Sequence, residues 1–317
     1  MALNIIHFAL HGRAQWGVIR DGQITPVPGT FPTTADFLRA NPVEVLRLLD
    51  DPVVRESEVE LLSPITRNQQ FVCQGANYRR HMIESGMNPD AKAFNMIFTK
   101  ASGCIVPANA NVVRPKHVQF LDYEIELGLV LKQDIREPVK VTDRNLHEYV
   151  AGMVIVNDYS ARDVQIPQMQ FYKGKSYRTF GPVGPYLCLL EPADMPKLKE
   201  LQLTLTVNDQ VRQHDTTRNL VYGPAETLTE LSGVHDLHLG DLLATGTPAG
   251  CALSVPSPAK QRTVGLLPEK TKWALFMRIQ AKRPQYLQPG DVVEARIRSF
   301  DSTIHLGAQR NRVVEEA

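Results

Sequence analysis

Two stretches, Asp122–Leu131 and Gly152–Asp158, leave the least freedom to any fold that this chain adopts. In the first, Ile125, Leu127, Leu129 and Leu131 alternate with Glu124, Glu126, Gly128 and Val130. That period of two predicts a strand with one apolar face. Glu124 and Glu126 then project side by side from the other face, with Asp122 on the same side. Neighbouring carboxylates repel, and burying them unpaired is costly. Two readings of this face are open: a solvated acidic edge, or a cluster neutralised by a divalent cation. The second stretch bears on the choice. Gly152-Met153-Val154-Ile155-Val156 is a continuous apolar run of the kind found in fully buried strands, and it stops on Asn157-Asp158. A carboxylate at the end of a buried strand supplies a third oxygen ligand. Glu124, Glu126 and Asp158, with no His or Cys beside them in sequence, suit a hard ion such as Mg²⁺, Mn²⁺ or Ca²⁺ rather than zinc.

The rest of the chain sets the frame for that cluster. Its 317 residues suffice for one large domain or two smaller ones. With 35 basic and 34 acidic residues, there is no electrostatic case for nucleic acid as a partner. No apolar stretch approaches membrane-spanning length. The start, Met1-Ala2-Leu3-Asn4, lacks a basic leader followed by a long apolar region, so no secretion signal is expected. Cys73, Cys104, Cys188 and Cys251 are scattered without a C-x-x-C pair, which predicts buried free thiols in a reducing cytoplasm.

Residues 1–65 are expected to form a small leading module. Ile5–Leu10, Gln15–Arg20 and Ile24–Val27 have the pattern of strands, with Asp21-Gly22 as a turn, and residues 34–40 and 43–49 that of short helices. Leu61-Leu62-Ser63-Pro64 marks the junction. Beyond it, Asn77 is the expected N-cap of a helix over Tyr78–Ser85, closed by Gly86. His81 and Glu84 are neighbours on one face of that helix, which in isolation is the pattern of a surface pair worth roughly tenths of a kcal/mol. Leu201–Asn208 alternates and turns at Asn208-Asp209, a hairpin. Thr245-Gly246-Thr247-Pro248 ends a strand in a turn whose hydroxyls and N–H groups can grip a carboxylate, although such turns are usually structural. Many short strands with Gly/Pro turns predict a mixed, mainly β architecture.

Asp-Tyr-Glu-Ile-Glu-Leu at 122–127, Asn-Asp-Tyr-Ser-Ala-Arg-Asp at 157–163, Lys-Ser-Tyr-Arg-Thr-Phe-Gly-Pro-Val-Gly-Pro at 175–185 and Thr-Gly-Thr-Pro-Ala-Gly at 245–250 occur in one order. Together they resemble the fumarylacetoacetate hydrolase family. The resemblance implies a catalytic β-roll over 66–317, a small N-terminal α+β domain over 1–65 packed beside it, and a homodimer. It implies metal ligation by Glu124, Glu126 and Asp158, with Mg²⁺ or Mn²⁺ as the ion. Asn-Tyr-x-x-His-x-x-Glu at 77–84 resembles the family's lid, in which His81 and Glu84 would activate water and Tyr78 would contact substrate. Lys175 matches a lysine facing the substrate, Lys100 ends a strand near it, and Lys173 is expected to be solvated. Arg162 and Gln165 resemble positions that bind the oxyanion or keto-acid oxygen, though a lone Arg is equally a surface ion pair. Thr247 would contact the substrate, a small keto acid.

The activity so implied is hydrolysis of a C–C bond in a β-diketo acid, of acylpyruvate or fumarylpyruvate type, through a metal-stabilised enolate. Decarboxylation, isomerisation, tautomerisation or hydration of a related 2-oxo or 2-hydroxydienoic acid would use the same site. The remote alternative is a noncatalytic metal-binding protein. One departure from the family pattern stands out: Cys251-Ala252-Leu253 replaces the usual Val-Gly, and about forty residues separate Gly250 from Gly290. Within that 251–286 insertion, Trp273, Phe276, Met277 and Gln280 fall at i, i+3, i+4 and i+7, on a helix otherwise rich in Lys and Arg. Its apolar stripe packs either on the body of the protein or a dimer partner, or at the active-site rim, where its basic residues would favour an acidic substrate arm.

Overall fold

The computed structural model of the chain describes residues 2–256 and 258–317. Met1, at the start of the leading module, and Ser257, inside the 251–286 insertion, lie outside the described residues. Among the described residues the short alternating segments assemble into a thirteen-stranded sheet, a five-stranded sheet and a two-stranded ribbon. The expected mixed, mainly β architecture is what forms.

The strand Ile125–Leu131 runs through the middle of the large sheet, between Val150–Asn157 and Leu242–Ala244. Its odd-numbered residues face the five-stranded sheet. There Leu127 and Leu129 join Leu203 and Leu205 of the hairpin strand Leu201–Val207 in one apolar cluster, and that hairpin strand buries every second side chain. On the opposite face Val130 packs with Val154, Val156, Leu242 and Ala244. Both faces are therefore covered, all seven residues of the strand are buried, and the solvated acidic edge is excluded. Gly128 shares the face of Glu126. A Cβ there would fall within 2.8 Å of Val154, Leu242 and Val156 side chains, so the glycine is a packing requirement two residues from a candidate ligand.

In the leading module, strands form at Leu3–Leu10, Arg13–Arg20 and Gln23–Pro26 and helices at Thr34–Ala40 and Val43–Arg47. These strands do not make a sheet of their own: Leu3–Ile6 pair antiparallel with Tyr186–Leu189 and so extend the large sheet. Trp16 lies between His7 and Phe37, with ring centroids 4.2 and 4.5 Å away. The Nδ1 of His7 is 2.7 Å from the Ser63 carbonyl, so the neutral ring donates a proton to it. Burial lowers the pKa of His7, against a smaller raising effect of that carbonyl. A folded-state pKa below the unfolded value means that the unfolded chain binds more protons in the window beneath about pH 6.5. The stability that His7 contributes is thus present above that pH and is lost on acidification. His7→Phe keeps the stack but not the titration, and its melting temperature is expected to fall less than that of the wild type between about pH 7.5 and pH 5. Equal losses in the two proteins would remove His7 as the source.

In the insertion, the helix forms at Glu269–Gln280. Phe276 and Met277 pack against the main apolar cluster, with Phe276 edge-on to Phe120, which stacks on Tyr286. Gln280 is buried, donates to the Ser254 carbonyl and accepts from the Tyr286 hydroxyl. The stripe is used on the body of the chain itself. No helix among the described residues is long and apolar enough to cross a membrane.

Candidate active site

Strand register brings the two constraining motifs together. Ile125 pairs with Asn157, which sets Glu124 against Asp158: the Asp158 N–H donates to the Glu124 carbonyl at 2.8 Å, and the Asn157 side chain accepts from the Glu124 N–H. Carboxylate oxygens of Glu124, Glu126 and Asp158 lie within 4.8 Å of one another, and all three residues are buried. Asp122 is fully buried beside them but turns to the insertion. It accepts from the Ala252 and Leu253 N–H groups at 2.7 and 3.0 Å and from Arg162 Nε at 2.8 Å.

Buried cations answer most of this charge. Lys175 Nζ donates to Glu124 Oε2 at 2.7 Å, to Asp158 Oδ2 and to Ser160 Oγ. Lys100 Nζ donates to Asp158 Oδ1 at 2.6 Å and to the Phe180 carbonyl. Arg162 is shared among Asp122, Glu124 and the Gln165 side chain. Burial alone would raise the pKa of Glu124, but the charges of Arg162 and Lys175 outweigh it and hold that carboxyl well below its ordinary range. Lys175 is held above its ordinary value, because Asp158 and Glu124 overcome the opposing effect of burial. Glu126 is the exception. It accepts the Gly246 N–H at 2.9 Å, has no cation at ion-pair distance among the described residues, and is pushed well up by burial and then by Asp158 and Glu124. Three oxygen donors, one of them without a counter-ion, fit a hard divalent cation.

Above the cluster lies a pocket of about 250 Å³ whose lining includes Glu124, Glu126, Arg162, Gln165, Lys175 and Thr247. His81 and Glu84 face it from the helix Arg79–Glu84. The N-terminus of that helix differs from expectation. Tyr78 occupies the cap position without a side-chain bond, while Asn77 donates to the Tyr222 and Thr245 carbonyls and ties the helix to the Thr245 turn. Tyr78 turns into the apolar core, fully buried, and is absent from the pocket lining. The structure thus does not bring Tyr78 together with the other expected substrate contacts. His81 is half-buried, and its Nδ1 is buried with no hydrogen-bond partner. Burial lowers its pKa despite the nearby charge of Glu124. Glu84 is exposed at the rim, its carboxylate 3.4 Å from the Gly250 N–H. No hydrogen bond joins it to His81 among the described residues. Lys173 is exposed and bonds Gln168. Thr247 Oγ1 donates to the Ile125 carbonyl, so the turn is fastened to the ligand-bearing strand.

Three residues of the site escape sequence reasoning. Cys251 is buried in the pocket, its Sγ 3.8 Å from Glu124; only its place after Gly250 hints at this. Ser160 gives Lys175 its third acceptor. Gln213, fully buried on the hairpin strand, donates to Thr247 Oγ1 and the Pro248 carbonyl and accepts from the Ile125 N–H. A glutamine at an inward position of an alternating strand is the signal that could have found it. Of the insertion, Cys251, Leu253 and Val255 reach the pocket, while the helix Glu269–Gln280 contributes nothing to its lining.

Comparison with known proteins adds independent findings. The model of the Fumarylacetoacetate (FAA) hydrolase C-terminal family matches residues 70–314. The oxaloacetate tautomerase YisK of Bacillus subtilis (strain 168) is 33% identical over 205 residues, 64% of this chain and 66% of that protein, so the chain spans just under two thirds of that relative's length. A 2,4-didehydro-3-deoxy-L-rhamnonate hydrolase of Sphingomonas sp. (strain SKA58) is 31% identical over 319 residues, covering 99% of this chain and 96% of that one. Among solved structures, a fumarylacetoacetate hydrolase from Exiguobacterium antarcticum superposes with a TM-score of 0.75 at 28% identity, over 99% of this chain and 100% of that one. A probable 2-hydroxyhepta-2,4-diene-1,7-dioate isomerase from Mycobacterium abscessus gives 0.74 at 28% identity over the whole of both chains.

Proposed function

This chain belongs to the fumarylacetoacetate hydrolase family, and from that premise we propose that it hydrolyses a C–C bond in a β-diketo acid of acylpyruvate or fumarylpyruvate type. Glu124, Glu126 and Asp158 would hold Mg²⁺ or Mn²⁺, which when bound supplies Lewis-acid polarisation of the substrate's keto oxygen. The protein's own groups do the rest. His81 takes a proton from water as the water oxygen adds to the distal carbonyl. The C–C bond then breaks with its electron pair passing to the pyruvyl fragment as an enolate. Lys175, held cationic by Asp158 and Glu124, lines the pocket and would offset the negative charge that develops on that oxygen. Arg162, kept in place by Asp122 and Gln165, adds a second fixed positive charge. The enolate carbon finally takes the proton that His81 removed from water, giving pyruvate and a carboxylic acid and restoring the base.

The observation that carries this reading is the placement of His81, which lines one pocket with Glu124 and Glu126 and has a ring nitrogen within 4.8 Å of a Glu124 carboxylate oxygen. A second reading, keto–enol tautomerisation of a 2-oxo diacid, is favoured by the same residue, since one base suffices for it and Glu84 makes no bond to His81. The test is a panel of acetylpyruvate, fumarylpyruvate and enol-oxaloacetate, each assayed with Mg²⁺, with Mn²⁺ and with chelator. Hydrolysis requires pyruvate and the acid in equal amounts. Loss of the enol absorbance of oxaloacetate without cleavage of either acylpyruvate would instead establish the tautomerase.

A further inference from the structure

A second groove of about 560 Å³ adjoins the pocket, and the two share Glu84, Cys251, Leu253 and Val255 in their linings. Two guanidinium groups face this groove, Arg212 from the hairpin strand Gln210–Thr216 and Arg283 from the end of the insertion. Neither forms an ion pair with a carboxylate among the described residues. Arg212 is half-buried, and its Nε is buried without any hydrogen-bond partner. Arg283 donates from Nε to the Ala252 carbonyl, a bond that leaves its terminal nitrogens uncommitted. The hydroxyl of Tyr123, which also lines the groove, feels both positive charges acting against its burial. Position is fixed as well as charge: a Cβ on Gly250 would lie 2.1 Å from the Arg212 carbonyl, so the hairpin backbone sits directly on the Gly250 turn. The carboxylate in that lining, Glu84, stands at the junction of the two cavities.

Two half-buried guanidinium groups that line one groove without a counter-ion hold unused donors and uncompensated charge, and a bound carboxylate meets both deficits. We propose that Arg212 and Arg283 form a subsite for a second carboxylate at the far end of the substrate, so that the enzyme prefers 2-oxo dicarboxylic acids to monocarboxylic ones of equal length. This rests on the reading above only in placing the keto-acid end of the substrate at the Glu124–Glu126–Asp158 cluster. It also assigns the insertion a role through Arg283 at its end, apart from the packing of its helix.

Binding tests it without turnover. The Mg²⁺-loaded protein is titrated calorimetrically with 2-oxoadipate and with 2-oxohexanoate, which differ only in the terminal carboxylate. The wild type should bind the diacid at least tenfold more tightly, and Arg212→Gln and Arg283→Gln should each remove about tenfold of that preference, the loss typical of a charge-assisted bond. Arg212→Lys, which keeps the charge, should retain part of it. Arg212→Gln breaks no side-chain hydrogen bond or ion pair among the described residues, so it carries the test alone if the Arg283 variant does not fold. Equal affinities of the wild type for the two acids, or a preference that survives both substitutions, overturns the subsite. Pyruvate release from acetylpyruvate reports separately on C–C hydrolysis and stands or falls independently of this result.

Discussion

Glu126→Gln is expected to abolish metal-dependent turnover in a protein that folds as well as the wild type. The carboxylate is buried, receives the Gly246 N–H and has no cationic partner among the described residues, and burial, Asp158 and Glu124 all push its pKa up. The neutral amide keeps the shape and removes a repulsive charge from a low-dielectric site, so the folded state without metal loses little and can gain. The cation loses one of three ligands. Turnover should fall by at least about 10²–10³-fold, with Mn²⁺ affinity, read by calorimetry, falling in parallel and the melting temperature without metal unchanged or raised. Glu124→Gln and Asp158→Asn should also stop turnover, but with a lowered melting temperature, because each weakens an ion pair to Lys175. Full activity of Glu126→Gln in the presence of chelator would falsify the metal assignment.

His81→Ala should lower kcat by about 10²–10⁴-fold, the contribution usual for a general base. Affinity for oxalate should hardly change, because the carboxylate cluster, Lys175 and Arg162 are untouched by the substitution. Glu84 is exposed and unbonded to His81, so Glu84→Ala should cost less. Both variants are measured for kcat on acetylpyruvate and for oxalate binding by calorimetry. Unchanged kcat in both would remove the two residues from the catalytic set.

What the sequence reveals and what it conceals divide along the range of the interactions. The alternation at 124–131 and the apolar run at 152–156 are local patterns, and the three clustered carboxylates and the buried strand end are legible from them alone. The hairpin at Asn208-Asp209 and the helix at 269–280 are legible for the same reason. The pairing of Lys100 with Asp158, fifty-eight residues apart, and the brace from Gln213 to Thr247 and Ile125 depend on the packing of one sheet against another, which no local period encodes. The cap motif points to Asn77, but that side chain is drawn away by backbone groups of Tyr222 and Thr245, and Tyr78 is buried in the core.

The pairing of Leu3–Ile6 with Tyr186–Leu189 has a temporal consequence. As the chain leaves the ribosome, its first strands find each other at once, since Leu3–Leu10, Arg13–Arg20 and Gln23–Pro26 form a meander of tight turns. Glu60–Leu62 then cover His7–Ala9, but Leu3–Ile6 on the same edge must wait about 160 residues beyond Pro26 before their partner exists. Contacts of such separation are slow to form, and an unpaired apolar edge is prone to wrong pairing meanwhile. The strand Leu242–Ala244, which must slot between Ile125–Leu131 and Phe71–Gly75, arrives later still and brings the Thr245 turn with it. The nascent chain therefore carries an open sheet until residue 244 has been made, and the candidate pocket, whose lining includes Thr247 and Cys251, cannot close before then.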